Sequence, residues 1–553
     1  MYRLSSYYRR PAAAAASSRC CTRALFSTTS LSSQQQQQHH HHVSSDQKLP
    51  QIIPTKGVPI HLYGYEIEPQ ALDQVKVLAE SPLPVGYVSV MPDAHLGKGV
   101  TIGTVFASDT YVCPNAVGVD IGCGMAAIPI DGLYQHQLRH AHKVAIQQRI
   151  KERIPTGFAQ HSTMLPGTQR VLEEITEDNN PPTEYLKQQL LLPRVTSQLG
   201  TLGGGNHFLE VVYEDKTEQV WCMLHSGSRN IGNRVAQHYD TVAKSMLNKQ
   251  GVDTKKLNGM NYMPIESQEG QDYLRDMAWC QKYAYHNRKA MKEIMLEIMD
   301  KVTHCQADMT HAVNIHHNYC QCEDCGDGRK LYVTRKGATS AAQGEMGIIP
   351  GSMGTGSYIT RGKGNLQSWN SSSHGAGRRM SRVKAHANIS QEEFRKSMSG
   401  IVCDAHPSVR DEAPQAYKDL ESVMEQQSSL TEIVHRLLPL VNVKGFEEKL
   451  PKKYRRHNQK VGSGATRSFM AKAYYSVVAP GLAQKSMRMF SSQVDTSSRD
   501  ESELLRDPSP EMVDARHAPS DFDKSSSAVV YRDFITEEEA DVLVRDLKAR
   551  LKR

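Results

Sequence analysis

Val117-Gly-Val-Asp120-Ile-Gly-Cys123-Gly-Met places a carboxylate and a thiol three residues apart in a glycine-rich turn. Glycine lets a backbone approach an ion closely, although such a pattern on its own is more often a tight turn with a buried cysteine. Working outward, residues 118–124, 201–210 and 223–232 share one design: a short strand-like apolar run flanked by glycine-rich turns that hold the polar residues. Residues 271–302 read differently. Met277, Ala284, Met291, Ile294 and Ile298 recur at about helical spacing with charges between them, which predicts one long helix packed along one face. Short apolar runs and amphipathic helices continue from 56 to 445 without an internal linker, so this stretch reads as a single large α+β domain.

Composition sets outer bounds. A chain of 553 residues has room for a sizeable core, and 39% hydrophobic with 23% charged residues is the balance of a globular protein carrying some polar sequence. No run approaches the roughly 18 apolar residues of a membrane helix, so no membrane partner is expected. A net charge of +7 argues only weakly for nucleic acid at this length. Eleven cysteines without a regular framework favour a reducing compartment, or metal and catalytic use, over a disulfide scaffold.

The two ends differ from the middle. Residues 1–45 carry Arg3, Arg9, Arg10, Arg19 and Arg23 with abundant Ser and Ala and no acidic residue before Asp46, the composition of a mitochondrial transit peptide. Arg23-Ala-Leu-Phe-Ser-Thr-Thr resembles a matrix-processing site, and the expected location is the mitochondrial matrix. The Gln34 to Gln38 and His39 to His42 runs are low-complexity sequence. Residues 446–528 form a basic, then Ser- and Asp-rich extension that reads as disordered. Residues 529–553 form a short strand-helix piece that weakly resembles the start of an AlkB-like domain, without the iron-binding pair such a domain needs.

Several further motifs carry chemistry: Gly203-Gly-Gly-Asn206-His207-Phe-Leu-Glu210, His225-Ser-Gly-Ser-Arg229 and His316-His317-Asn318. Each histidine alone is more often structural than a ligand. Together with Asp120 and Cys123 they supply a carboxylate, a thiolate and at least three imidazoles, enough for two divalent ions of the manganese, cobalt or zinc type. Two ions about 4 Å apart orient and neutralise phosphates. Pro350-Gly-Ser352-Met-Gly354-Thr355-Gly356-Ser357 and Ser373-His374-Gly375-Ala376-Gly377-Arg378 are rich in backbone donors of the kind that cradle phosphates. There is no G-x-x-x-x-G-K-[ST] loop and no K-x-D-G lysine nucleophile, so His374 is the candidate to attack a nucleotide α-phosphate.

With Met91-Pro-Asp93-Ala-His95-Leu-Gly-Lys-Gly ahead of them, these motifs occur in the order seen in RtcB RNA ligases, and residues 56–445 resemble that family, its compact bacterial members above all. The resemblance implies one catalytic domain of β-sheets surrounded by helices, flanked by disordered ends. It implies a GTP-dependent ligase of tRNA splicing or RNA repair that joins RNA 3'-phosphate or 2',3'-cyclic phosphate ends to 5'-hydroxyl ends. Two manganese(II) ions would be bridged by Cys123, with Asp120 and His207 completing one site and His225 and His317 the other. His374 would become guanylylated, with Asp93 orienting its imidazole. Asn206, Glu210 and Lys444 would contact GMP, with Ser352, Gly375, Ala376 and Gly377 beside it. Arg229, Lys336 and Arg378 are candidates for nucleotide or RNA phosphates, and some relatives use an archease-type activator.

A two-metal phosphoesterase and an inactive RNA-binding relative remain as alternatives, and the first has no use for a guanylylated histidine. One departure from the family pattern is Cys320-Gln-Cys322-Glu-Asp-Cys325. It is either a zinc site completed by Cys305 or His304, or a reduced surface loop.

Overall fold

The computed structural model describes residues 41–42, 48–177, 180–325 and 328–445. The chain divides into two units, 1–40 and 41–553, and every described residue belongs to the second. Apart from the backbone of 41–42, the targeting segment expected at 1–45 lies outside the described residues. So do the segments expected at 446–528 and 529–553.

Two sheets organise the domain. The larger is an antiparallel sheet of seven strands in the order Val313–His316, Gly124–Tyr134, Gln219–Ser226, Phe208–Glu214, Thr431–Lys444, Ser357–Gly362, Met346–Pro350. Its two faces alternate as a strand's period of two requires. Ala126, Ile128 and Ile130 belong to one core with Met291, Met295 and Ile298, whereas Met125 and Ala127 belong to another with Trp221 and Ile348. The second sheet has six strands in the order Asn318–Asp324, Lys330–Lys336, Ile102–Ser108, Val85–His95, Ile60–Leu62, Gln51–Ile53, with one parallel pair between Ile60–Leu62 and Val85–His95. The chain passes from the first sheet to the second at His317, between Val313–His316 and Asn318–Asp324.

The long helix predicted at 271–302 is Gln268–Thr303, started by Ser267, whose side chain accepts from the Gly270 N–H, and stopped by His304 in the left-handed region. Met277, Ala284, Met291, Ile294 and Ile298 are all buried, each large apolar side chain worth about 1.5–3 kcal/mol on transfer from water. Asn287 and Arg288 lie on the same buried face. The turn before Gly124–Tyr134 rests directly on this helix, for a Cβ at Gly122 would come within 2.8 Å of the Gln281 Cα. Replacing Gly122 would therefore lift the turn.

Two of the strand-like runs are shorter than expected. Residues 118–123 are turn, with the strand beginning at Gly124, and the run at 223–232 is strand only to Ser226. Arg229 opens the helix Arg229–Lys249, because Ile231, Val235, Ala236, Tyr239, Ala243 and Leu247 bury one face at helical spacing. No helix among the described residues is long and apolar enough to cross a membrane.

Candidate active site

Antiparallel register brings the proposed metal ligands together. His225 lies opposite both Met125 and Phe208, so Cys123 and His207, just ahead of those two residues, meet it at one edge of the seven-stranded sheet. His317 arrives from the crossover to the second sheet, where its N–H donates to the Cys123 carbonyl at 2.8 Å. The Cys123 Sγ lies 3.3 Å from His207 Nε2 and 3.2 Å from His225 Nε2. His225 Nε2 is 3.2 Å from His317 Nε2, and His207 Nε2 is 3.0 Å from the Asp120 carboxylate. Ligand atoms held about 2.0–2.3 Å from a common ion lie roughly 3–3.7 Å apart, so this spacing fits a coordination shell.

The surroundings suit an ion as well. His207 Nδ1 donates to the Leu202 carbonyl at 2.9 Å, so the ring turns its Nε2 towards the cluster. Burial holds His225 and His317 well below the usual histidine range, so both are neutral and each keeps a lone pair that a metal ion could take. Burial would raise Asp120, but the hydrogen bond and charge of His207 and the charge of Arg229 hold it below the usual carboxylate range. Burial, then Asp120, pushes the Cys123 thiol well up, so its proton leaves only when a cation takes its place. Gly227 is required beside Asp120, because a Cβ there would stand 2.2 Å from the carboxylate oxygen.

Beside this cluster stands His374, its ring 4.9 Å from that of His317. It follows the strand Ser371–Ser373, and its Nδ1 donates to the fully buried Asp93 at 2.7 Å, which directs the other ring nitrogen away from the carboxylate. The Gly375 N–H donates to the same Asp93 oxygen at 3.2 Å. Gly377 closes the loop with φ +73°, and a Cβ there would lie 2.0 Å from the Asp93 carbonyl oxygen.

One cleft of about 460 Å³, within the range of small-molecule sites, joins these parts. Its walls include Asp120, Cys123, His225, His317 and His374, together with Asn206, Glu210, Ser352, Gly375, Ala376, Gly377, Lys336, Arg378 and Lys444. Burial pushes Glu210 up to about 7 against the pull of Lys444 and of its Asn442 hydrogen bond. Lys444 sits 5.7 Å over the Phe208 ring and pairs with Glu412. Arg378 lines the cleft, yet its guanidinium reaches Glu412 at 3.2 Å and the Asp411 carbonyl at 2.7 Å. Arg229 is not brought to the cleft wall. Its guanidinium donates to Thr201 Oγ1 and to the Gly157 carbonyl, both at 2.9 Å, so it braces the loop ahead of His207.

Sequence reading passed over several residues. Arg288, fully buried, donates to the carbonyls of Gly122 and Ser226 at 2.9 and 3.1 Å, and Asn287 Oδ1 accepts from the N–H groups of Gly200 and Thr201 at 2.8 and 3.1 Å. Together they tie the turns of Cys123, His207 and His225 to the long helix. Their signal was available, since an Arg and an Asn on an apolar helix face must have partners. Glu412, Asp411, Arg382 and Tyr417 gave no local signal. The three-cysteine cluster does not converge: Cys320 packs in the core around Tyr273 and Cys280, Cys325 packs against the core containing Tyr63 and Trp369, and Cys322 is exposed. Among the described residues, the one group of three close ligand atoms is Cys123, His207 and His225.

Residues 74–445 match the family model of the tRNA-splicing ligase RtcB. The chain is 37% identical over 420 residues to the RNA-splicing ligase RtcB of Escherichia coli (strain K12), covering 71% of this chain and 99% of that protein. It is 31% identical over 435 residues to the RNA-splicing ligase RtcB of Mycobacterium tuberculosis, covering 67% of this chain and 100% of that one. Identity to the tRNA-splicing ligase RtcB of Thermococcus kodakarensis is 31% over 447 residues, covering 68% and 91%.

Proposed function

Since this chain belongs to the RtcB family and is an RNA ligase, we propose that it uses GTP to join an RNA 3'-phosphate, or the 2',3'-cyclic phosphate, to a 5'-hydroxyl through a GMP adduct on His374. The observation that carries this reading is the His374–Asp93 pair set against the ligand cluster, 2.7 Å within the pair and 4.9 Å between the His374 and His317 rings. With Nδ1–H donated to Asp93, the lone pair of His374 Nε2 is available to attack the GTP α-phosphate and release pyrophosphate. The RNA 3'-phosphate then takes GMP from His374, and the 5'-hydroxyl displaces GMP to close the phosphodiester. A cyclic phosphate is opened by water beforehand.

Each step is an in-line displacement at phosphorus, which asks for positioning and neutralisation more than for paired acids and bases. Two manganese ions, held by Asp120, Cys123, His207, His225 and His317, would supply that neutralisation. Asn206, Glu210 and Lys444 would hold the guanosine, and the loops at Ser352 and at 375–377 would hold phosphate through backbone N–H groups. The basic, acid-free segment 1–45 supports mitochondrial import.

Incubation with labelled GTP and manganese tests the reading. It expects an acid-labile, base-stable adduct mapped to His374, with sealing of a 3'-phosphate and 5'-hydroxyl RNA pair. GMP on a lysine, or hydrolysis of the RNA end without sealing, would overturn it. For the location, a reporter carrying residues 1–45 is expected in mitochondria, and diffuse cytosolic signal would reject import.

A further inference from the structure

The carboxylate of Asp93 is anchored on one side only. Oδ2 takes both of its hydrogen bonds, from His374 Nδ1 at 2.7 Å and from the Gly375 N–H at 3.2 Å, and no protein group among the described residues donates to Oδ1. Its alignment therefore depends on the backbone that carries it, and that backbone is irregular. In the strand Val85–His95, Val90 pairs with Thr104 and His95 with Ile102, so five residue steps on one strand face two on the other. The parallel pairing with Ile60–Leu62 also stops at Val90. Met91 to Ala94 thus form a bulge outside both ladders, and a bulge leaves backbone groups without ladder partners.

Lys418 supplies partners for them. Its Nζ donates to the Pro92 carbonyl and to the Ala94 carbonyl, each at 2.8 Å, so one side chain grips the peptides on either side of Asp93. The Asp93 carbonyl between them accepts from His95 Nδ1 at 3.0 Å. Lys418 also holds the other half of the pair. Its backbone N–H donates to the Gly377 carbonyl at 2.9 Å, next to the antiparallel bridge between Tyr417 and Arg378. Gly377 closes the loop that begins at His374 and packs on the Asp93 carbonyl. Backbone and side chain of one residue therefore join the His374 loop to the Asp93 bulge, and Lys418 does so from behind the cleft wall.

We propose that Lys418 is a positioning residue for the nucleophile: by holding the carbonyls of Pro92 and Ala94 it keeps the Asp93 carboxylate aligned on His374 Nδ1 while His374 attacks the GTP α-phosphate. Lys418 acts through Asp93 and forms no bond to the reacting atoms. The assignment rests on the ligase reading above and concerns one step of it, formation of the GMP adduct. A general brace of the fold is the competing role, and it predicts losses spread over every step.

The test is the rate of GMP-adduct formation by the manganese-loaded full chain over a series of GTP concentrations. Lys418→Met is close in length but has no donor, and is expected to lower the maximal rate by about 10–10²-fold, the cost of misplacing a reacting group by up to about 1 Å. The GTP concentration at half-maximal rate should stay as in wild type, the mark of an interaction used in reaction and not in binding. Manganese content and single-turnover sealing of RNA that already carries a 3'-terminal guanylyl group should also be unchanged, which shows that the variant is folded. Lys418→Arg keeps the donors and should recover most of the rate. In a chain carrying Asp93→Ala, adding Lys418→Met should cost nothing further, because no carboxylate is left to align. Equal losses in adduct formation and in sealing of the activated RNA, or a full multiplicative loss on the Asp93→Ala background, would overturn the proposal. Should Lys418→Met not fold, Lys418→Gln, which keeps an N–H donor on a shorter stem, is held to the same outcomes. A wild-type protein that makes no GMP adduct would overturn the ligase reading itself, and this assignment with it.

Discussion

Two groups of side chains in the cleft meet opposite electrostatic demands. Asp120, His207, Cys123, His225 and His317 crowd electron pairs in a chain of contacts, each within about 3.3 Å of the next. Arg378, Arg382 and Lys444 crowd positive charge, but each already pairs with Glu412, and both arginines also reach Asp411. The donor group is balanced only when cations enter it. The cationic group already holds two carboxylates against its three cations, so an arriving phosphate must share or displace carboxylates that are already in place. One region is built to capture ions, the other to exchange partners, and the difference lies in whether counter-charges come with the fold.

The strongest break of that comparison is Cys123→Ala. Removing the atom that touches both His207 and His225 should lower metal content and cut ligation by at least about 10³-fold. Cys322→Ala, on an exposed strand position, should do neither. Elemental analysis of the two purified variants checks this, and equal metal loss would move the centre of the site to the three-cysteine strand.

Asp93→Asn acts one residue away from the donors. It replaces the acceptor that fixes the His374 ring, so GMP-adduct formation should slow by about 10²–10⁴-fold while metal content stays unchanged. Quench-flow labelling with GTP gives the rate. An adduct formed at the wild-type rate would remove Asp93 from the mechanism.

Glu412→Gln sharpens the other half. Burial favours a neutral Glu412, but Lys444, Arg382 and Arg378 outweigh it and hold the carboxyl down at about 2, from an ordinary value of 4.5. A depressed folded value means stability that is present above the unfolded value and lost as pH falls through the folded one. The variant should therefore be less stable by about 3 kcal/mol at pH 7. The gap to wild type should shrink as pH drops below about 4.5 towards 2. Denaturant titrations at pH 7 and at acid pH measure it, and a gap independent of pH would mean that packing, not charge, is what Glu412 supplies.

The smallest effect is expected at the boundary that follows Lys444. Lys444 pairs with Glu412 inside the described domain, and the family match ends at 445, so a chain lacking residues 446–553 should still ligate. Loss of activity in a folded truncated protein would bring the extension into the enzyme.

The candidate ligands were legible because each sits in a short motif whose residue types and glycines restrict what the backbone can do there. The long helix was legible because its apolar period survives over 36 residues. Short strand-like runs were less certain guides. The run at 223–232 contains a strand and the first turn of a helix, and the change at Gly227 and Ser228 comes from the approach of Asp120, whose carboxylate accepts from the Ser228 N–H at 3.2 Å. Arg229 is a phosphate candidate by the family resemblance alone, and the structure adds that its Nε and Nη2 donate to the loop ahead of His207. Arg288 carried a signal, a cation inside an apolar stripe, but its partners lie in distant turns.

From sequence alone came the donor inventory, the candidate nucleophile and the family, because these depend on which side chains are present and on local backbone freedom. Tertiary structure decided which side chains point into the cleft and which charges come already paired. Asp93 and His374 are 281 residues apart, Asn115 and Lys336 are 221, and Glu412 and Lys444 are 32. Such pairings arise from sheet register and the crossing of one sheet into the next, which no local pattern records.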